Sequence, residues 1–122
     1  MKIDFTQKLY KFNGEPLVEI RVNEKGEQKT ADKDLTLLSA AVIALLETYP
    51  DERNLPVKEK LERGELASKV FNSDADGLDL NAEEIALIKK LIGKCFGVLI
   101  VWQTNFLLEN KPPKIKPKPK AE

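Results

Sequence analysis

The residues best placed to do chemistry stand in one loop, Asn72-Ser73-Asp74-Ala75-Asp76-Gly77, followed by Glu83 and Glu84. Oxygen ligands at positions 1, 3 and 5, a turn glycine at 6 and a carboxylate at 12 make the pattern of an EF-hand calcium loop. Alternate residues of such a tight loop point inward, and the distal Glu closes the shell with two oxygens. Here Asn72, Asp74 and Asp76 take the first places, the Leu78 carbonyl the seventh and Glu83 the twelfth. Two details depart from that frame. Asp79 stands where an apolar residue belongs, and a helix capped at Asn81 starts one residue late. A loop longer by one residue repairs both, with Leu80 as the apolar residue and Glu84 as the bidentate ligand. Ca²⁺ on Asn72, Asp74, Asp76 and Glu83 or Glu84 is therefore the one metal the spacing suggests. The competing reading is a plain helix–helix connection, because turns and caps recruit the same Asp, Asn and Gly.

Composition removes most other chemistry. The chain has 122 residues, 20 Lys+Arg against 20 Asp+Glu, no His and one Cys. Without His there is no imidazole base, no Ser-His-Asp or Cys-His arrangement, and no His ligand for zinc or copper. A lone Cys makes no internal disulfide and no thiolate cluster. Cys95 follows lysines near a helix end, a setting that lowers a thiol pKa, but its neighbours are apolar and a buried structural thiol is expected. Paired carboxylates remain as a means of catalysis, yet nothing in the spacing gathers two acids around a pocket. No enzyme activity and no resident cofactor are expected. The opening Met1-Lys2-Ile3-Asp4-Phe5 does not read as a secretory signal. The longest apolar stretches, Ala40–Leu46 and Cys95–Trp102, fall far short of the roughly 20 residues that span a bilayer. The expectation is a single soluble, cytoplasmic domain with no membrane partner.

These residues must be held by an α+β domain over 1–110: an N-terminal hairpin or small meander in 1–30, packed on three to four helices in 35–109. Asn13-Gly14 is the strongest hairpin signal, followed by the β-rich Leu17–Val22 and a second turn at Asn23–Glu27. Thr30–Asp34 reads as polar linker. A helix over Leu35–Thr48 is apolar almost all round, which suits a central helix. A second runs from Pro56 to about Phe71, with Val57, Leu61 and Phe71 on one face. Gly64 and Ser68 leave that face shallow, while Ala67 and Val70 lie beside it and Leu66 further round. The third begins at a capping box, Asn81 as N-cap and Glu84 at N3, with Leu80 and Ile85 as the staple. Ile85, Ile88 and Ile92 form its stripe and Gly93 its natural stop. Cys95–Trp102 could open as strand or helix, and the 3–4 spacing of Leu99, Trp102, Phe106 and Glu109 favours a fourth helix over Gly97–Glu109. Core packing is the expected role of Trp102 and Phe106, a binding patch the lesser one.

Residues 111–122 are too rich in proline for helix or ladder, and an extended, disordered tail is expected. Its five Lys and one Glu leave 15 basic and 19 acidic residues in 1–110. The overall zero is thus an acidic body and a basic tail. The tail could touch nucleic acid, membrane phosphates or an acidic protein surface, but it has no aromatic residue to stack on bases, and a solvated, solubilising tail is expected.

Four stretches resemble, as a set, small proteins encoded by bacteriophages and prophages: Met1–Phe5, Asn13–Leu17, Arg63–Val70 and Leu80–Lys94. The resemblance implies a bacterial host cell and a role in phage assembly, regulation or interference with a host protein. It transfers no functional residue. The resulting expectation is a non-enzymatic interaction protein with a phage or host protein partner, working through a helical surface, with a homo-oligomer as a further option. Surplus apolar surface on Leu37–Leu46 and Val98–Leu108 would form the interface. The alternative is the Ca²⁺-binding module above.

Overall fold

Helix α1 (Leu37–Leu46) is the hub, packing on both α2 (Val57–Phe71) and α3 (Ala82–Cys95), while α4 (Val98–Leu108) packs on α3. The computed structural model describes residues 1–22, 28–52, 54–112 and 115, with the backbone alone described over 19–22 and 28–33. The architecture is α+β, with four α-helices and N-terminal antiparallel strands among the described residues.

Thr36 caps α1, its hydroxyl accepting from the Ser39 amide. Alanines 40, 41 and 44 are buried, and these small side chains let the neighbouring helices approach closely. The Tyr49 hydroxyl, just beyond α1, donates 2.8 Å to the Ala44 carbonyl and 3.2 Å to that of Leu91, tying α1 to α3. Burial pushes its pKa up from 10.0. The same burial raises the Cys95 thiol, so Cys95 is a poor nucleophile at neutral pH.

The N-terminal strands form the expected small antiparallel meander, and two of their pairings differ from those expected. β1 (Lys2–Ile3) pairs antiparallel with β4 (Leu78–Asp79), which lies in the α2–α3 connection. β2 (Val18–Val22) pairs with β3 (Gln28–Asp34), so the stretch read as polar linker is a strand. Backbone pairing does not require apolar side chains, which is why composition missed it. A register shift falls between Val18 and Ile20. The second expected turn, Asn23–Glu27, lies outside the described residues. Asn13-Gly14 does turn the chain, with Gly14 at φ 87°, where a side chain would be strained. That turn joins an isolated bridge, Tyr10 to Pro16. Leu9, Leu17 and Leu35 then close a ring of three backbone hydrogen bonds: Leu17 to Leu9, Leu9 to Leu35, and Leu35 to Leu17. The result is a small meander whose inner residues Ile3, Phe5 and Leu9 are fully buried against the helices.

α2 turns a face to the core other than the expected one. Arg63, Leu66, Ala67 and Val70 are buried, whereas Val57, Leu61 and Phe71 are exposed. The buried set follows i, i+3, i+4, i+7 spacing, but its first member is charged. Arg63 lies inward because its guanidinium forks onto Glu52 in the 3₁₀ turn Pro50–Glu52, Nη1 to Oε1 at 3.0 Å and Nη2 on Oε2. The pair is strongly desolvated, with side chains 9% and 11% exposed.

α3 starts as expected. Asn81 accepts from the Glu84 amide at 2.8 Å, and Glu84 accepts from the Asn81 amide at 3.0 Å. The box satisfies two otherwise orphaned donors. Leu80 and Ile85 are both buried. The helix passes through Gly93, the expected stop, and ends at Cys95. α4 then runs as a helix throughout.

Candidate functional site

The acidic loop is built from local caps. The Asn72 side-chain amide turns back to the Ser68 carbonyl at 2.9 Å, closing the end of α2. Asp74 accepts from the Asp76 amide at 3.0 Å, and the Gly77 amide donates to the Asp74 carbonyl. Gly77 holds φ 95°, and a Cβ there would stand 3.4 Å from the Ile3 carbonyl oxygen. Leu78–Asp79 pairs with Lys2–Ile3, so the short strand of the loop finds its partner at the chain's own start. Asp79 also accepts at 2.9 Å from the Met1 ammonium, which holds its carboxyl below the usual range. Asp74, Asp76 and Glu83 are exposed, and Glu84 is bound into its capping box. Among the described residues no three Asp, Glu or Cys side chains gather in a way that could hold a metal ion.

A second feature is the outer face of α4. The segment is apolar on every side, yet its buried residues are Gln103, Thr104, Leu107 and Leu108. Burying two polar residues is affordable because both are satisfied. The Gln103 side chain accepts from the Tyr10 amide at 2.9 Å and donates to the Tyr10 carbonyl at 2.8 Å, as a neighbouring strand would. Thr104 donates to the Val101 carbonyl. Seating these residues inward rotates the large apolar side chains outward. Val98 is 87% exposed, Trp102 36% and Phe12, from the meander, 75%. Phe12 tilts against Trp102 at 5.8 Å between ring centroids, and Phe106 meets Trp102 edge-on at 6.2 Å. The rings form a short aromatic ladder on the surface, so Trp102 and Phe106 do not take the expected core role. Phe12 was not singled out in the sequence. It lies ninety residues from Trp102 along the chain, and no local spacing joins the two.

The Lys111 ammonium sits 5.8 Å from the Phe106 ring centroid, within cation–π range. Glu109 receives Lys89 at 2.8 Å and Lys111 at 2.9 Å, which pulls its carboxyl down to about 2. Of the tail, Lys111, Pro112 and Ile115 are described, and Ile115 is buried. The expected disorder of the remainder lies outside the described residues.

A third feature is a pocket of about 340 Å³ between α1 and α2, lined by Leu46, Leu55, Lys60 and the Arg63–Glu52 pair. Arg63 and Glu52 satisfy each other there, which suits a structural clasp. Among the described residues no helix is long and apolar enough to cross a membrane. Compared with protein-family models, curated proteins and solved structures, the chain matches none.

Proposed function

We propose that this chain is a non-enzymatic protein-interaction module that binds through the outer face of α4, in the setting of a phage or prophage protein acting within a bacterial host cell. The observation that supports this reading is the aromatic ladder, Phe12, Trp102 and Phe106, continued by Val98. Contiguous exposed apolar surface of this kind marks interaction sites, and Trp and Phe are enriched where partners bind. The face includes the Val98–Leu108 surplus that a fully packed core would not need. On α1, Ile43 and Leu46 are exposed as well.

The test is capture of a partner by the purified full chain, from bacterial lysate, compared with Val98→Asp and Phe12→Ser. Both residues are exposed, so the melting temperature is expected to hold while capture falls at least tenfold, a loss equivalent to about 1.4 kcal/mol. A strict monomer in light scattering that captures nothing overturns the reading.

The second reading is a Ca²⁺ module on Asn72, Asp74, Asp76 and Glu83 or Glu84. It is favoured by Gly77, which stands at the turn position of the loop with a left-handed φ of 95°. Binding would draw Asn72 and Glu84 out of their caps. Calorimetric heat with Ca²⁺, together with a raised melting temperature in excess metal, supports this reading. The absence of both ends it.

A further inference from the structure

α2 carries two helical seams, and the fold uses one of them. Arg63, Leu66, Ala67 and Val70 are buried, and α2 packs on α1. Val57, Leu61, Gly64, Ser68 and Phe71 are all exposed. Their steps along the chain are four, three, four and three. That is the repeat of a helix lying lengthwise on another helix. The stripe runs about 21 Å along α2 at the usual rise per residue. A Cβ built on Gly64 meets no neighbouring atom within 4 Å, so the middle of the stripe is open.

The stripe is complementary to itself, in size and in charge. Its bulk lies in the N-terminal half, at Val57 and Leu61, and its hollows follow at Gly64 and Ser68. Two copies of α2 laid antiparallel set bulk on hollow. Leu61 then seats at the partner's Gly64, and Val57 over the partner's Ser68. A parallel pair would instead set Leu61 against the partner's Leu61 and leave Gly64 facing the partner's Gly64. Charge follows the same alignment. Lys58 and Glu65 stand on one edge of the stripe, about 100° and 80° around the helix from its centre. In an antiparallel two-fold pair like edges face each other, so Lys58 meets the partner's Glu65 and Glu65 meets the partner's Lys58. Each contact occurs twice, as a two-fold interface requires.

We propose that α2 is a dimerisation helix, packing antiparallel on α2 of a second copy of this chain through Val57, Leu61, Gly64 and Ser68, with Lys58 and Glu65 setting the register. The proposal does not rest on the function given above, which uses α4, a helix packed on α3. Two such helices bury less than the ~1,600 Å² of a standard interface, so the dimer is expected to be weak, with a Kd of roughly 10–100 μM.

Sedimentation equilibrium of the full chain, from micromolar to near-millimolar concentration, tests this. The mass is expected to rise from that of one chain toward that of two. Gly64→Leu fills the hollow and is expected to weaken association at least tenfold. The monomer should not lose melting temperature, because the new side chain enters open space and Leu favours helix more than Gly does. Lys58→Glu alone weakens the dimer, and Lys58→Glu with Glu65→Lys restores it, because the facing charges are then exchanged. A single-chain mass at every concentration overturns the proposal. So does a dimer indifferent to Gly64→Leu, or a double reversal no tighter than Lys58→Glu. A dimer abolished by Val98→Asp but not by Gly64→Leu sits on α4 and overturns it too.

Discussion

Glu52→Ala is expected to destabilise the protein by about 3 kcal/mol, lowering the melting temperature by roughly 10 °C. The reason is an asymmetry. The Arg63–Glu52 fork is desolvated, with 9% and 11% of the two side chains exposed. Removing the carboxylate strands a guanidinium that cannot lose its proton, and an unpaired buried charge costs far more than a surface pair ever gives. Replacing both partners, Glu52→Leu with Arg63→Met, is expected to recover most of the loss, because no charge is then left buried. Thermal unfolding of the three chains checks this, and a double variant no better than Glu52→Ala would contradict it.

The same pair gives the pH dependence a sign. The side-chain hydrogen bonds from Arg63 lower the Glu52 pKa from its ordinary 4.5. A depressed carboxyl contributes stability that is fully present above the unfolded value and is lost as pH falls through the folded one. Native protein should therefore lose melting temperature below about pH 4.5, and Glu52→Ala should lose less over the same interval. Arg63 stays charged throughout and adds nothing to the slope.

Phe5→Ala is expected to cost more, about 3–5 kcal/mol. Phe5 is fully buried, and its carbonyl accepts from the Leu38 amide at the start of α1. The ring thus fills the junction between the meander and the central helix. Against a total stability of ~5–15 kcal/mol, that is about a fifth of the whole or more. Urea unfolding should show a lowered midpoint with an unchanged slope, which is the signature of lost stability without a changed denatured state. A cost under about 1 kcal/mol would mean that the N-terminal segment is not part of the cooperative core.

Much of the helical half was legible in the sequence. The bounds of α2 and α4 and the start of α3 follow from signals that act within a few residues. Pro56 precedes the first turn of α2, Asn81 and Glu84 exchange hydrogen bonds across one turn, and Gly97 precedes α4. Each element reads its own ends because caps are satisfied locally. The expectation of a central α1 followed from its apolar circumference, which leaves no solvated side.

What the sequence left open is which side of each helix faces in. On α2 the apolar count favoured Val57, Leu61 and Phe71, yet Arg63 goes inward because Glu52 waits for it in the turn after α1. On α4 the choice fell to Gln103, whose amide completes the Tyr10 backbone and thereby turns Trp102 to the surface. In both cases a polar side chain is buried by a partner far along the chain, and no local period encodes that partner. The pairing of Lys2–Ile3 with the acidic loop is of the same kind. The sequence by itself determined the helices, their caps and the acidic stretch from Asp74 to Glu84. Only the tertiary structure decided that this stretch is closed by its own caps and that the aromatic residues of α4 face away from the core. Hydrogen bonds between distant segments set helix rotation, and rotation decides which residues remain for a partner.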